Sequence, residues 1–122
     1  MLNICQVSLS GNIPTILKNI ENFKKYYPDF KLYIICPNKE KKIFQKKINY
    51  KYCKIIEENK IISLKKFKLI SNKYFKDNNY HKVIQTRLTW YYQQILKISF
   101  MLNFIIKEKK PILMWDADTI LL

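Results

Sequence analysis

A single glycine, a single histidine and a single arginine occur in this chain of 122 residues, and each scarcity narrows what the protein can do. Gly11 alone leaves no glycine-rich or ribonucleoprotein-like motif for gripping nucleic acid. His81 stands between Tyr80 and Lys82 with no partner at ligand spacing, and reads as a surface residue. Cys5, Cys36 and Cys53 are odd in number and form no Cys-x-x-Cys pair, which argues against a zinc or dithiol motif. Each lies in or beside an apolar run, so they read as buried thiols in a reducing compartment. Met1-Leu2-Asn3-Ile4 lacks the basic start of a signal peptide. The best candidate span, Leu88 to Ile106, is interrupted by Gln93, Gln94, Lys97 and Asn103 before the roughly 18 apolar residues of a transmembrane helix accumulate. The expectation is a cytoplasmic protein, soluble or peripheral.

Acidic residues are also few. Nine carboxylates face 23 Lys and Arg residues, for a formal charge of +14. Such a balance points first to nucleic acid or an anionic membrane. Only Arg87 is arginine, however, and abundant Ile and Asn accompany the lysines, as an AT-rich coding sequence would dictate. The lysines come as scattered pairs (Lys24-Lys25, Lys41-Lys42, Lys46-Lys47, Lys65-Lys66, Lys109-Lys110) rather than as a block. A solvated basic surface and a membrane-facing one both fit.

What remains is a chain with 48% apolar residues, enough for one domain with a packed core. Strand patterns fall at Leu2 to Ser8, Lys31 to Cys36, Cys53 to Glu57 and Pro111 to Ile120. Helical spacing follows Gly11-Asn12 (Pro14 in the first turn, then Ile16, Leu17, Ile20 and Phe23), and occurs again over Lys39 to Lys47, Leu64 to Phe75 and Gln85 to Ile106. This alternation predicts an α/β fold, a mostly parallel sheet with helices on both faces. In such sheets ligands bind beyond the carboxyl ends of the strands, where Ser8, Pro37, Glu57 and Asp116 fall.

The last strand ends in Trp115-Asp116-Ala117-Asp118-Thr119. Carboxylates in apolar surroundings require a compensating charge. A divalent cation such as Mg²⁺ or Mn²⁺ suits, because it takes one or two protein carboxylates and completes its shell with water and phosphate. The bland alternative is that Asp116 caps a turn and Asp118 a helix. Upstream, spacing of three and four places Thr89, Gln93 and Lys97 on one helical face, flanked by Arg87 and Gln94. Arg87 is a candidate for bidentate phosphate or carboxylate contact, or for a plain surface ion pair. Trp90, Tyr91, Tyr92 and Trp115 read as core packing.

An apolar strand ending in Asp-x-Asp also occurs in haloacid-dehalogenase phosphatases. Those enzymes carry Thr two residues after the second Asp, where this chain has Ile120, and carry the motif on their first strand. The Arg87-to-Lys97 helix together with Trp115-Asp116-Ala117-Asp118-Thr119 resembles nucleotide-sugar-dependent glycosyltransferases of the GT-A fold, of the bacterial polysaccharide and lipooligosaccharide type. The resemblance implies a metal-dependent sugar transfer from a nucleoside diphosphate sugar, a UDP-sugar by preference, to a glycan or lipid-linked acceptor. It implies Mn²⁺ or Mg²⁺ on Asp118, with Asp116 on the donor ribose or on the metal through water. Ser8, Arg87, Gln94, Lys97 and Asp116 become donor-binding candidates, and Glu57 or Glu58 a hydrogen-bonding candidate for a uracil or ribose. Residues 1–122 would form the donor-binding half, cut off after the Asp-x-Asp strand, with the following edge exposed. The lysines would serve peripheral contact at the inner face of the cytoplasmic membrane. A basic α/β nucleic-acid-binding module and a metal-dependent phosphatase are the competing readings; no nucleic acid is expected under the first.

Overall fold

The computed structural model describes residues 1–75 and 87–121. The run Phe30–Cys36 is apolar at nearly every position, as a strand covered on both faces must be. It forms β2, at the middle of a four-stranded, wholly parallel sheet. β1 (Leu2–Val7) lies on one side of it, with Leu2 opposite Phe30 and Val7 opposite Ile35. β3 (Cys53–Glu57) lies on the other. β4 (Leu113–Met114) joins the free side of β1, with Ile4 opposite Leu113. The spatial order is therefore β3-β2-β1-β4.

That order follows from where the helices go. α1 (Ile13–Tyr26) and α2 (Lys41–Lys47) cover one face, seating Ile16, Ile20, Phe23 and Phe44 on Ile4, Leu32 and Ile34. Pro14 sits in the first turn of α1, where a missing N–H costs nothing. The chain then changes face. α3 (Leu64–Phe75) and α4 (Leu88–Glu108) cover the other side, where Tyr92, Leu96 and Phe104 meet Cys5, Tyr33 and Ile35. α4 ends where Lys109 takes a left-handed conformation (φ 54°) and donates its N–H to the Ile105 carbonyl. Pro111 follows, and its carbonyl accepts from Asn3 Nδ2 at 3.3 Å as the chain enters β4.

The expected α/β sheet with helices on both faces is the observed one, and β3 and α3 have the expected bounds. The last strand is the exception. Pro111 to Ile120 was expected to be extended throughout, yet only Leu113–Met114 is strand. The ladder continues for one more bond, from Trp115 N–H to the Cys5 carbonyl at 2.9 Å. The chain then turns away, because Thr119 donates its N–H back to the Asp116 carbonyl at 3.0 Å and closes a β-turn over Asp116–Thr119.

β4 is an outer strand of the sheet, and the segment after the turn leaves that edge. It runs across α1, where buried Asn19 grips it from both sides. Asn19 Nδ2 donates to the Thr119 carbonyl at 2.7 Å, and the Leu121 N–H donates to Asn19 Oδ1 at 2.9 Å. Asn22 Nδ2 donates to the Leu121 carbonyl. Trp115 packs edge-on against Phe23 at 5.5 Å, and its indole N–H donates to the Thr119 carbonyl at 3.0 Å. The expectation of core packing holds for Trp115.

The helix expected over Gln85 to Ile106 begins on residues outside those described, and His81 lies outside them too. Among the described residues, no helix is long and apolar enough to cross a membrane.

Candidate functional site

β1 is flanked by β2, whose connection runs over one face, and by β4, whose connection runs over the other. The chain's winding reverses between β1 and β4, and the crevice beyond their carboxyl ends is where open α/β sheets hold ligands. A cleft of about 420 Å³ occupies that position. Val7 and Leu9 from the end of β1 and Asn12 from the following turn form one wall; Trp90, Gln93, Gln94 and Lys97 of α4 form the other. Asp116, Ala117 and Asp118, at the turn after β4, close it.

The charges in the cleft are specific. Lys97 Nζ pairs with Asp116 Oδ1. The lysine side chain is only 15% exposed, whereas that of Asp116 is 65% exposed. Lys97 also stands near Cys5 of β1, whose thiol is pushed up to about 12 by burial, with the lysine charge opposing. Asp118 is exposed on the same turn. One ammonium against two carboxylates leaves a net charge of −1 in a chain whose total is +14. A bare phosphate gains little there; a divalent cation, or a cation carrying a diphosphate, gains more.

The carboxylates expected in apolar surroundings face solvent instead. The two carboxylates are not desolvated by an apolar strand: both lie on an exposed β-turn, and the compensating charge beside Asp116 is Lys97. Asp116 occupies the first position of that turn, a place Asp favours on local grounds alone. The donor set still suits a hard cation that needs only one or two carboxylates and keeps its waters. Among the described residues no cluster of three or more His, Cys, Asp or Glu side chains offers a fully protein-built metal cage.

The other expected site residues divide. Gln94 and Lys97 line the cleft, as do Asp116 and Asp118. Gln93 joins them, but Thr89, expected on the same face, is exposed and does not line it. Ser8 is buried at the end of β1 between two lining residues, and its hydroxyl donates to the Leu9 carbonyl at 3.0 Å. It shapes the wall and presents no side chain to the cleft. Arg87 is exposed at the start of α4, outside the lining.

Trp90 corrects the sequence reading in the other direction. It is 55% exposed and lines the cleft, while its neighbour Tyr92 is the buried ring that packs in the core and donates its hydroxyl to the Ile62 carbonyl at 2.6 Å. Three consecutive aromatics cannot all face one way on a helix, and the interval of four from Tyr92 to Leu96 and Phe100 would have identified the inward one.

Glu57 and Glu58, at the end of β3, lie away from the cleft lining. Glu57 pairs with Lys41 at 2.9 Å, and that hydrogen bond holds its carboxyl below the usual range. Glu58 is pushed up by burial, with the Glu40 charge adding to the effect. Glu40 itself accepts from the Ser10 N–H at 3.0 Å and from the Ser10 hydroxyl at 2.8 Å. Glu40 and Glu57 thus tie segments at the carboxyl edge to one another.

Comparison with protein-family models, with curated proteins and with solved structures found no match.

Proposed function

We propose that this chain is the donor-binding part of a metal-dependent glycosyltransferase, taking a nucleoside diphosphate sugar in the cleft between β1, α4 and the Asp116–Thr119 turn. One observation carries the reading. Two carboxylates and a lysine meet at the winding reversal of a parallel sheet, in an otherwise strongly basic molecule. Asp118 and the free oxygen of Asp116 would hold Mn²⁺ or Mg²⁺, which when bound offsets charge on a departing diphosphate.

The remaining roles belong to the chain's own groups. Lys97 is placed to release Asp116 and take a diphosphate oxygen, since its ammonium already stands at the cleft wall. Trp90 offers an exposed ring at the same wall for a base or sugar face, and Gln93 and Gln94 offer amides for hydroxyls. Backbone groups around Val7 and Leu9, set by buried Ser8, form the opposite wall. The acceptor would be a surface glycan or lipid-linked sugar, met at the inner face of the cytoplasmic membrane, with scattered lysines attracted to anionic headgroups. The nucleic-acid alternative draws no support from this cleft, whose net charge is negative.

Thermal unfolding with UDP, with and without Mn²⁺, tests the reading. Binding to the native state at about 100-fold saturation adds roughly 2.7 kcal/mol. The expected result is a UDP-induced rise in Tm that needs Mn²⁺ and disappears in Asp118→Ala. A cooperative transition that ignores UDP and Mn²⁺, together with salt-sensitive retention on RNA or DNA, would favour the nucleic-acid reading instead.

A further inference from the structure

A second hollow, of about 520 Å³, lies beside α4 over the β2 and β3 half of the sheet, and shares no lining residue with the cleft. Its walls follow from pattern. Side chains on a strand alternate between faces, so Lys31 and Tyr33 of β2 and Lys54 and Ile56 of β3 point to the face that carries α4. On α4, Asn103, Phe104 and Lys107 come three, four and seven residues after Phe100, which puts all four on the wall facing those strands. Tyr33 and Phe104 are buried and meet edge-on with ring centroids 5.4 Å apart, so the floor is apolar and firm. Lys60, in the turn after β3, completes the rim.

Charge distinguishes what the hollow takes. Lysines reach it from four separate segments, and Glu108 is the single carboxylate in its lining, which leaves a net charge of +3. Among the described residues none of these four lysines forms an ion pair, whereas Lys41 and Lys97 do. The basic composition of the chain does not account for the arrangement. A lysine on an edge strand guards that edge against pairing with another sheet, which explains Lys54 on β3. It does not explain Lys31, which is half-buried on the inner strand β2. The Lys31 ammonium stands 5.3 Å from the centre of the Tyr33 ring, whose negative face holds it over the floor. Above such a floor the field of several ammoniums is screened less than on open surface. Lysine meets phosphate as a point charge and lacks the planar fork that selects carboxylates. The volume falls within the roughly 300–1,000 Å³ of small-ligand pockets, which suits a compact group.

We propose that this hollow binds a compact polyphosphate group, two or more phosphates joined in one ligand. Lys31, Lys54, Lys60 and Lys107 share its charge, and the Asn103 amide donates to one of its oxygens. A soluble polyphosphate and a lipid head with two phosphates present the same chemistry, and the test separates them. The site is independent of the glycosyltransferase reading: the cleft draws a cation, this hollow an anion.

Calorimetric titration of the full chain with inorganic tripolyphosphate provides the test, in buffer containing EDTA so that a metal-requiring cleft stays silent. The expected result is saturable binding that weakens about tenfold or more in the double variant Lys31→Gln, Lys107→Gln. The double variant Lys46→Gln, Lys47→Gln removes the same charge from α2 on the opposite face and should weaken it less than about twofold. Should the first variant fail to fold, lysine footprinting on the wild-type chain decides. Tripolyphosphate should protect Lys31 and Lys107 from reductive methylation and leave Lys46 and Lys47 reacting as before. Co-sedimentation with phosphatidylcholine vesicles, with and without cardiolipin, identifies the source. Cardiolipin-dependent binding that tripolyphosphate displaces, and that the Lys31→Gln, Lys107→Gln variant lacks, assigns a lipid head. Saturable titration without vesicle binding assigns a soluble polyphosphate. The absence of saturable titration overturns the site. So do equal losses in the two double variants, or uniform protection of all lysines, the mark of diffuse attraction such as that for RNA.

Discussion

Replacing Asn19 with leucine keeps the side-chain volume close to native and removes both arms of the clamp that holds the segment after the carboxylate turn. The two arms are not equivalent. The Thr119 carbonyl also accepts from the Trp115 indole, so it keeps a partner when Asn19 Nδ2 is lost. The Leu121 N–H donates only to Asn19 Oδ1 among the described contacts, and is left bare. One unsatisfied buried donor costs about 1–3 kcal/mol and one lost but compensated bond about 0.5–1.5 kcal/mol, so the sum is roughly 2–4 kcal/mol. For a chain of this length each kcal/mol moves Tm by roughly 3–6 °C, which places the expected fall on the order of 10 °C. The segment can instead detach and take water, which caps the loss at its own docking energy. Amide exchange separates the two outcomes, because the Leu121 N–H must lose its protection either way. Calorimetry and exchange on Asn19→Leu therefore belong together. An unmoved Tm with Leu121 still protected would refute the clamp, and with it the account of what positions Asp116 and Asp118.

Three further predictions rest on other contacts. The Lys97–Asp116 pair should be asymmetric in denaturant titrations: Lys97→Met leaves a well-hydrated carboxylate and costs under about 1 kcal/mol, while Asp116→Ala leaves the ammonium of a mostly buried side chain without its partner and costs about 1 kcal/mol or more; equal losses would contradict the exposures on which this rests. Glu58 is held above its ordinary value of 4.5 by burial and then by Glu40, so its contribution to stability is full below that value and is lost as pH rises through the folded one. Glu58→Gln should therefore stabilise the protein at pH 7 with a gain that vanishes in acid, and a gain independent of pH would count against burial as the cause. Burial lifts Cys5 and Cys53 to about 12 and Cys36 to about 11. The thiolate of a group raised from 9.0 to about 12 is about a thousandfold scarcer at a given lower pH, so native labelling by a disulfide reagent should be very slow and become fast in guanidinium.

Periodicity made most of the sheet legible. The apolar runs around β1, β2 and β3 and the helical spacing from Ile16 to Phe23 depend on local pattern, and the structure keeps them with shifts of a residue or so at the ends. What pattern could not reveal was the end of β4. Trp115 to Ile120 continues directly from an apolar strand run, but its path is decided by Asn19 and Asn22, about a hundred residues earlier. Separation along the chain also hides the partner of Asp116: the carboxylate in its strand-end context calls for a positive charge and Lys97 is a candidate, but a helix and a strand end 19 residues apart carry no sign of touching. Ser8 and Arg87 show the limit of placing residues by strand end or rarity. One turns its hydroxyl to its own backbone and the other stands outside the lining.

The pairing of β1 with β4 has a consequence for how the cleft comes into being. β1, β2 and β3 pair in the order in which they follow one another along the chain, so they can assemble from contacts between successive segments. The cleft waits for closures between residues far apart along the chain, among them Asn3 to Pro111 and Asn19 to Leu121, with separations of 108 and 102 residues. Closures over long separations cost more chain entropy than local ones and form more slowly. A growing chain thus holds three wound strands before it holds any site, and acquires the carboxylates in place only when its last strand slots in beside its first.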